Sequence, residues 1–149
     1  MTPTTDLTHV PGLVVPGLVP AARYPLTETY WAEADEGRLV LQRCANCGAY
    51  RHPPAPVCFR CQSFEWAWEQ ISGAGTVFSM TWVHAALTPA FAEAVPYNVC
   101  VVELDGTEGV RIAATVTGVE SGADLVDLRV QAFFADAGEG HRLLLFSPA

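Results

Sequence analysis

The sequence predicts a mainly β protein: an N-terminal helix, a zinc ribbon, and a five-stranded barrel of the OB type. Three observations carry this reading. Two tight cysteine pairs, Cys44-Ala45-Asn46-Cys47 and Cys58-Phe59-Arg60-Cys61, stand ten residues apart. Short strand-like segments with glycine and acidic turns fill the C-terminal half. Half of the 149 residues are hydrophobic, enough for a real core and against general disorder. The chain divides into an extended N-terminal arm (1–25), a helix with the zinc ribbon (26–70) and the barrel (71–149).

The arm contains Val10 to Pro20, an apolar stretch broken by prolines in which a Pro-Gly-Leu-Val unit recurs imperfectly. It lacks a preceding basic region, so it reads as neither a leader nor a membrane span. An extended arm that docks on a partner is favoured over a free tail, because exposed apolar surface is costly. A helix follows over 27–36, with Thr27 as N-cap, Glu28 at the positive end of the dipole and Gly37 as the stop. Tyr30, Trp31 and Ala34 make one apolar stripe, suited equally to internal packing or to a partner.

Leu39 to Arg43 reads as a strand into the first cysteine knuckle, and Ala49 to His52 as its return before Pro53-Pro54. Two residues between cysteines let both sulfurs turn toward one point, and a second knuckle completes a tetrahedron of thiolates at Cys44, Cys47, Cys58 and Cys61. Four protein ligands leave no open position, so the expected zinc is structural. A pair of disulfides or a thioredoxin-type redox motif are the alternatives, and the doubled motif without a surrounding strand-helix pattern weighs against both. Iron in the same cage is not distinguished by spacing. His52 is expected to be a bystander.

Beyond the ribbon, Phe64, Trp66 and Trp68 alternate with polar or small residues, and Ser72-Gly73-Ala74-Gly75 makes a bend. Five strands are then expected at 76–83, 97–104, 110–116, 125–134 and 142–146. The OB fold is the best-matching five-stranded solution. Its longest connection, His84 to Pro96, lies on the usual ligand-facing side, where Trp82, His84, Phe91 and Tyr97 cluster. Cys100, inside an apolar strand, is expected to be a buried, inert thiol.

Charge narrows the function classes. The formal net charge is −8, and all eight basic residues are arginine, which excludes lysine-dependent chemistry. Arg51 and Arg60 sit in an acid-free cysteine segment, where they balance a zinc–thiolate cluster of charge −2 or, alternatively, contact a ligand. The acidic remainder disfavours a phosphate backbone as partner. No catalytic motif is recognisable: there is no nucleophile elbow, phosphate loop or His-Glu-x-x-His, and His9, His52, His84 and His141 lack evident orienting neighbours.

The order of features resembles the family called domain of unknown function 35. It runs from Tyr30-Trp31 through Glu36-Gly37-Arg38-Leu39, Gln42-Arg43-Cys44, Cys47-Gly48, His52-Pro53-Pro54, Cys58 and Cys61. It continues with Ser72-Gly73-x-Gly75, Pro96-Tyr97, Val102-Glu103-Leu104 and a Phe146-Ser147-Pro148 tail. One departure is Phe59, where the family commonly has proline. The resemblance implies a rubredoxin-like zinc ribbon joined to an OB barrel, acting as a non-catalytic subunit of a thiolase-fold enzyme of acyl-CoA metabolism. Steroid side-chain aldolases, which cleave a hydroxyacyl-CoA by a retro-aldol reaction, and acetyl-transferring thiolases are the implied settings. A heterotetramer or larger assembly in the cytoplasm is expected, with acyl-CoA near the shared interface and neither nucleic acid nor membrane as partner. Tyr30, Trp31, Arg51, Arg60, Trp82, His84, Phe91, Tyr97 and Phe146 are the expected partner or ligand contacts. The competing functions are a single-strand nucleic-acid binder stacking bases on Trp82, Phe91 and Tyr97, and an independent acyl-CoA-binding protein using Arg51 and Arg60.

Overall fold

The computed structural model describes residues 25–149; apart from Pro25, the expected N-terminal arm lies outside the described residues. Helix α1 (Glu28–Asp35) leads into a three-stranded antiparallel sheet of β1 (Val40–Cys44), β2 (Tyr50–Arg51) and β3 (Trp66–Gln70) in the order β2-β1-β3. The helix ends as its sequence predicts. Gly37 takes φ +78, the Gly37 amide donates to the Ala34 carbonyl at 2.9 Å, and the Arg38 amide reaches back to Glu33 at 2.8 Å. This is a Schellman motif, which only a residue tolerant of left-handed φ closes cheaply. Thr27 holds the N-cap position without a side-chain cap bond.

The second sheet contains β4 (Ala74–Val83), β5 (Tyr97–Leu104), β6 (Arg111–Ala114), β7 (Arg129–Gly138) and β8 (His141–Pro148), ordered β6-β5-β4-β7-β8. Between β4 and β5, Pro89–Phe91 forms one turn of 3₁₀ helix. Every strand pairing within this sheet is antiparallel, yet the segment just after β6 meets β8 through a parallel bridge, Val116 to Phe146. The Phe146 amide donates to Thr115 at 3.0 Å, and the Thr117 amide donates to Phe146 at 2.8 Å. The sheet thus curls into an OB-like half-barrel. β4 meets β7 over Ala74 to Thr76 alone, so closure at the bridge matters for the whole layer.

Asn98 secures that closure from inside. Its amide nitrogen donates to the Val116 carbonyl at 2.8 Å, and its side-chain oxygen accepts the Val116 amide at 2.8 Å. Asn98 is 3% exposed, so one side chain does the work of a missing strand partner. The surrounding core comprises Val77, Cys100, Val102, Val116, Val130 and Phe146, all essentially inaccessible. It is continuous with Leu39, Val40 and Leu41 of the ribbon.

Strand boundaries depart from the expected ones in one informative place. The expected fourth strand begins at Leu125, whereas β7 begins at Arg129. Residues 125–128 form a turn in which Asp127 takes φ 66, its amide donates to Val77 at 2.9 Å, and Leu128 accepts from the Val77 amide at 3.0 Å. Leu125 is buried there as a plug, which accounts for its apolar character without a strand.

Candidate metal centre and docking surface

The two cysteine knuckles fold by the same hydrogen-bond pattern. The Cys44 amide donates to Ala49 (2.9 Å) and the Gly48 amide to Cys44 (3.0 Å), while the Cys58 amide donates to Ser63 (2.9 Å) and the Gln62 amide to Cys58 (2.9 Å). The residue after each second cysteine must take positive φ: Gly48 has φ 75 and Gln62 has φ 60. Both hairpin-like turns therefore aim their sulfurs at a common centre.

The four ligand sulfurs lie within 4.8 Å of one another. Cys44 Sγ and Cys61 Sγ are 3.6 Å apart, as are Cys47 Sγ and Cys58 Sγ. A tetrahedron with Zn–S bonds of about 2.3 Å has edges of roughly 3.8 Å, so the donor set fits zinc. Zinc bound there crosslinks the two knuckles and supplies no open position for chemistry. Cys44 and Cys58 are buried, whereas Cys47 and Cys61 are partly accessible.

The protein environment favours thiolates. The Cys44 thiol is lowered chiefly by the Cys47 amide, Cys58 by the Cys61 amide, and Cys61 by the Asn46 side chain and the Ser63 amide. At Cys47 the Ala49 amide lowers the value, but desolvation and the three neighbouring sulfurs outweigh it and push it up to about 11. That ordering describes four crowded sulfurs without a cation; a divalent ion reverses the mutual repulsion.

Arg60, one of the two arginines expected to balance the cluster, is engaged first by an acid. Its guanidinium donates to Glu108 at 2.9 Å, and its value is raised by that bond first, with smaller contributions from Cys47 and Cys58. The bond links the second knuckle to the β5–β6 turn, joining ribbon and barrel. Arg43 donates to the Gly48 carbonyl at 3.2 Å and to Glu69 at 2.9 Å. Glu69 also accepts from the Tyr50 hydroxyl, which holds its carboxyl below the usual range ahead of Arg43.

The expected contact residues separate into distinct groups. Tyr30 is 7% exposed and packs on His52, with ring centroids 5.4 Å apart. Burial pushes its hydroxyl up to about 12 and lowers His52, so His52 is a packing partner of the helix. Trp31 crosses Tyr30 edge to face at 5.2 Å and stays half-buried. Arg51 is buried, with Nε bonded to Gln42 Oε1 at 2.7 Å. Trp82 donates its indole N–H to Ala123 at 2.9 Å, which fixes the ring against the barrel. His84 is exposed, and Phe91 pairs with Tyr97 at 5.9 Å. Phe146 corrects the expectation of a contact-making tail: it is fully buried, and 147–148 continue β8 by pairing with Gln131 and Val130. Cys100 is buried as expected, and desolvation raises its thiol.

Sequence reasoning missed the most exposed apolar residues: Phe59 (70%), Phe64 (72%), Phe78 (51%), Leu87 (88%) and Val126 (46%). Phe78 sits in the register shift between Val77 and Ser79 and carries the Arg111 guanidinium over its face at 3.4 Å. A bulge turns one residue of an otherwise alternating strand outward. The signal for Phe59 was present, since an aromatic stands where proline is usual.

Among the described residues no helix is long and apolar enough to cross a membrane. Residues 31–67 match the family model described as the ChsH2 rubredoxin-like zinc ribbon domain, and residues 68–135 match that of the ChsH2 C-terminal OB-fold domain. A solved chain described as "Ltp2-ChsH2(DUF35) aldolase" superposes with TM-score 0.77 at 35% identity, covering 87% of this chain and 98% of that one. A DUF35-family protein of unknown function from Sulfolobus solfataricus shares the fold, with TM-score 0.56 at 16% identity over 97% of this chain and 95% of that one. The "probable enoyl-CoA hydratase alpha subunit" of Thermomonospora curvata is 38% identical over 121 residues, 80% of this chain. The chain spans only 37% of that curated relative's length. With both modules matched and a solved relative covered almost end to end, the chain belongs to the ChsH2 (DUF35) family of rubredoxin-like zinc ribbons joined to an OB fold.

Proposed function

We propose that this protein is a non-catalytic accessory subunit that binds and stabilises a thiolase-like acyl-CoA enzyme, of the retro-aldolase type, and shapes its acyl-CoA channel. The similarity to a chain of an aldolase described with Ltp2, at 35% identity over nearly its full length, carries the reading. Two features support it. The metal centre has four protein ligands and no open position. Among the described residues, exposed Phe59, Phe64, Phe78 and Leu87 provide aromatic and aliphatic anchors of the kind that dominate interfaces. Helix with ribbon (26–70) and barrel (71–149) act as one docking unit, and the His84–Pro96 connection with Phe91 and Tyr97 faces the partner.

The T. curvata relative favours a second reading, in which the same unit serves an enoyl-CoA hydratase. Its subunit name is that of a hydratase, and most of its length has no counterpart here. A single-strand nucleic-acid role has less support, because Trp82 is pinned by its indole bond and two of the barrel's three arginines, Arg111 and Arg129, are paired with Glu103 and Asp105. Co-expression of the full chain with a thiolase-like candidate partner tests the reading. The assay is retro-aldol cleavage of a hydroxyacyl-CoA; hydration of an enoyl-CoA in a parallel assay marks the second reading.

A further inference from the structure

The outer edge of β3 is open. β3 pairs with β1 alone, in an unbroken antiparallel register that runs from Val40 opposite Gln70 to Cys44 opposite Trp66. The bonds at the two ends fix which backbone groups this pairing uses. The Ala45 amide donates to Glu65 at 2.9 Å, and the Ile71 amide donates to Leu39 at 3.0 Å. Residues 65 and 71 are thus bonded positions, and so are Ala67 and Glu69 between them, because bonded and non-bonded pairs alternate along an antiparallel ladder. The amides and carbonyls of Trp66, Trp68 and Gln70 therefore point away from β1, and no described residue bonds to them.

Natural sheets close off such an edge with a proline, a bulge or a positive charge. The segment 64–70 has no proline and no cationic residue, and its register with β1 contains no bulge. Its two faces differ in chemistry. Trp66 and Trp68 share one face, half-buried and crossed edge to face at 5.8 Å, and Phe64, two residues earlier, is 72% exposed. Glu65, Ala67 and Glu69 alternate onto the other face. Glu69 is paired with Arg43, whereas the exposed carboxylate of Glu65 has no ion-pair partner among the described residues. A second copy of the chain suits this edge badly. Each copy carries a formal net charge of −8, and antiparallel self-pairing of β3 gathers Glu65 and Glu69 of both copies on one face, where like charges repel.

We propose that the outer edge of β3 is a strand-addition site for the partner enzyme, taking an extended segment in which apolar residues alternate with basic ones. Main-chain bonds to Trp66, Trp68 and Gln70 supply the affinity, as they do wherever a peptide extends a sheet. The apolar residues of the added strand meet Phe64, Trp66 and Trp68, and its basic residues answer Glu65 across the joint. The strand comes from the partner that the accessory-subunit reading requires, and on that reading the site rests.

The test follows amide hydrogen exchange, residue by residue, in the zinc-loaded full chain, alone and in complex with a co-expressed thiolase-like candidate. In the free chain the amides of Ala67 and Glu69 should exchange slowly and those of Trp66, Trp68 and Gln70 fast, because the first two alone are bonded. In the complex the second set should slow at least about tenfold. Two variants read the same edge by affinity. Glu65→Lys reverses the unpaired charge, and Gln70→Pro removes an outward donor where an edge strand tolerates proline. Each should weaken the complex at least about tenfold while zinc content and the unfolding midpoint stay near those of the wild type. Should Gln70→Pro fail to fold, Glu65→Lys and the exchange pattern still decide. A complex that forms while Trp66, Trp68 and Gln70 exchange fast, or that Glu65→Lys leaves at full strength, overturns the site and leaves the accessory-subunit reading standing. Failure to form any complex overturns that reading and the site with it. Slow exchange of all three amides in the free chain means that the edge is already taken, by a second copy if dilution restores fast exchange and by the chain's own N-terminal arm if it does not, and either result overturns the proposal.

Discussion

Asn98→Ala offers a sharp probe of how the barrel closes. The side chain makes two 2.8 Å bonds to the main chain of Val116, the residue that carries the parallel bridge to Phe146. Truncation removes both bonds, each worth ~1 kcal/mol net. It also leaves the amide and carbonyl of Val116, which is 1% exposed, without partners, at ~1–3 kcal/mol for each one that water fails to reach. The expected loss is about 3 kcal/mol, a large share of the roughly 5–15 kcal/mol that holds a domain folded. For a chain of this size that corresponds to a midpoint lowered by roughly 6–12 °C. Urea unfolding of the zinc-loaded protein, followed by tryptophan fluorescence, measures it, with bound zinc as a control that should stay unchanged. Asn98→Asp keeps the shape and the acceptor but sets a carboxylate oxygen against the Val116 carbonyl. Its loss at neutral pH should be at least as large, and should shrink on acidification as a protonated carboxyl donates again. If Asn98→Ala lies within ~0.5 kcal/mol of the wild type, the side chain is not the closing device and the reasoning fails.

Other outcomes follow from the same geometry. Cys58→Ser should abolish stoichiometric zinc binding, checked by metal analysis, and expose the ribbon to protease. Because Cys44, Cys58 and Cys61 are lowered from the ordinary thiol value, their contribution is present above the unfolded value and lost as pH falls through the lowered folded ones. Cys47, pushed up to about 11, acts in the opposite sense above the unfolded value, so it is below that value that the metal-free chain should lose stability on acidification, a trend that a urea series across pH would contradict if flat. Gly75→Ala would place a Cβ 2.6 Å from the Glu103 carbonyl and 2.7 Å from Val102 Cγ1, costing about 1–3 kcal/mol by denaturation. Gln62→Gly, at φ 60, should change in the other direction, gaining up to ~1 kcal/mol. Phe59→Ser combined with Phe64→Ser should leave the melting point nearly unchanged and weaken partner binding at least tenfold by calorimetry, since exposed anchors matter only in the complex.

The doubled Cys-x-x-Cys was legible because ligand spacing is local: each knuckle needs only its own six residues to aim two sulfurs. Gly37 was legible for the same reason, and the alternation of 97–104 matched β5 residue for residue. What stayed hidden depends on partners distant in sequence. Leu125 looked like the start of a strand because burial, not backbone pairing, demands its apolar side chain. Asn98 gave no sign of bridging to Val116, and Phe146 resembled an exposed tail until β8 paired with β7. Arg51 read as a balance for the cysteine cluster or a ligand contact because nothing local shows that Gln42 lies opposite it, buried inside an apolar strand. Comparing the two knuckles position by position would have exposed Gln62 as a residue forced into the conformation that Gly48 adopts freely.

The most direct test of the accessory-subunit reading is to co-express the chain with a thiolase-like candidate partner, resolve the mixture by size exclusion, and assay acyl-CoA cleavage with and without the chain. The account predicts one co-eluting complex whose cleavage activity disappears when this subunit is omitted. Two separate peaks, with the candidate fully active alone, would contradict it.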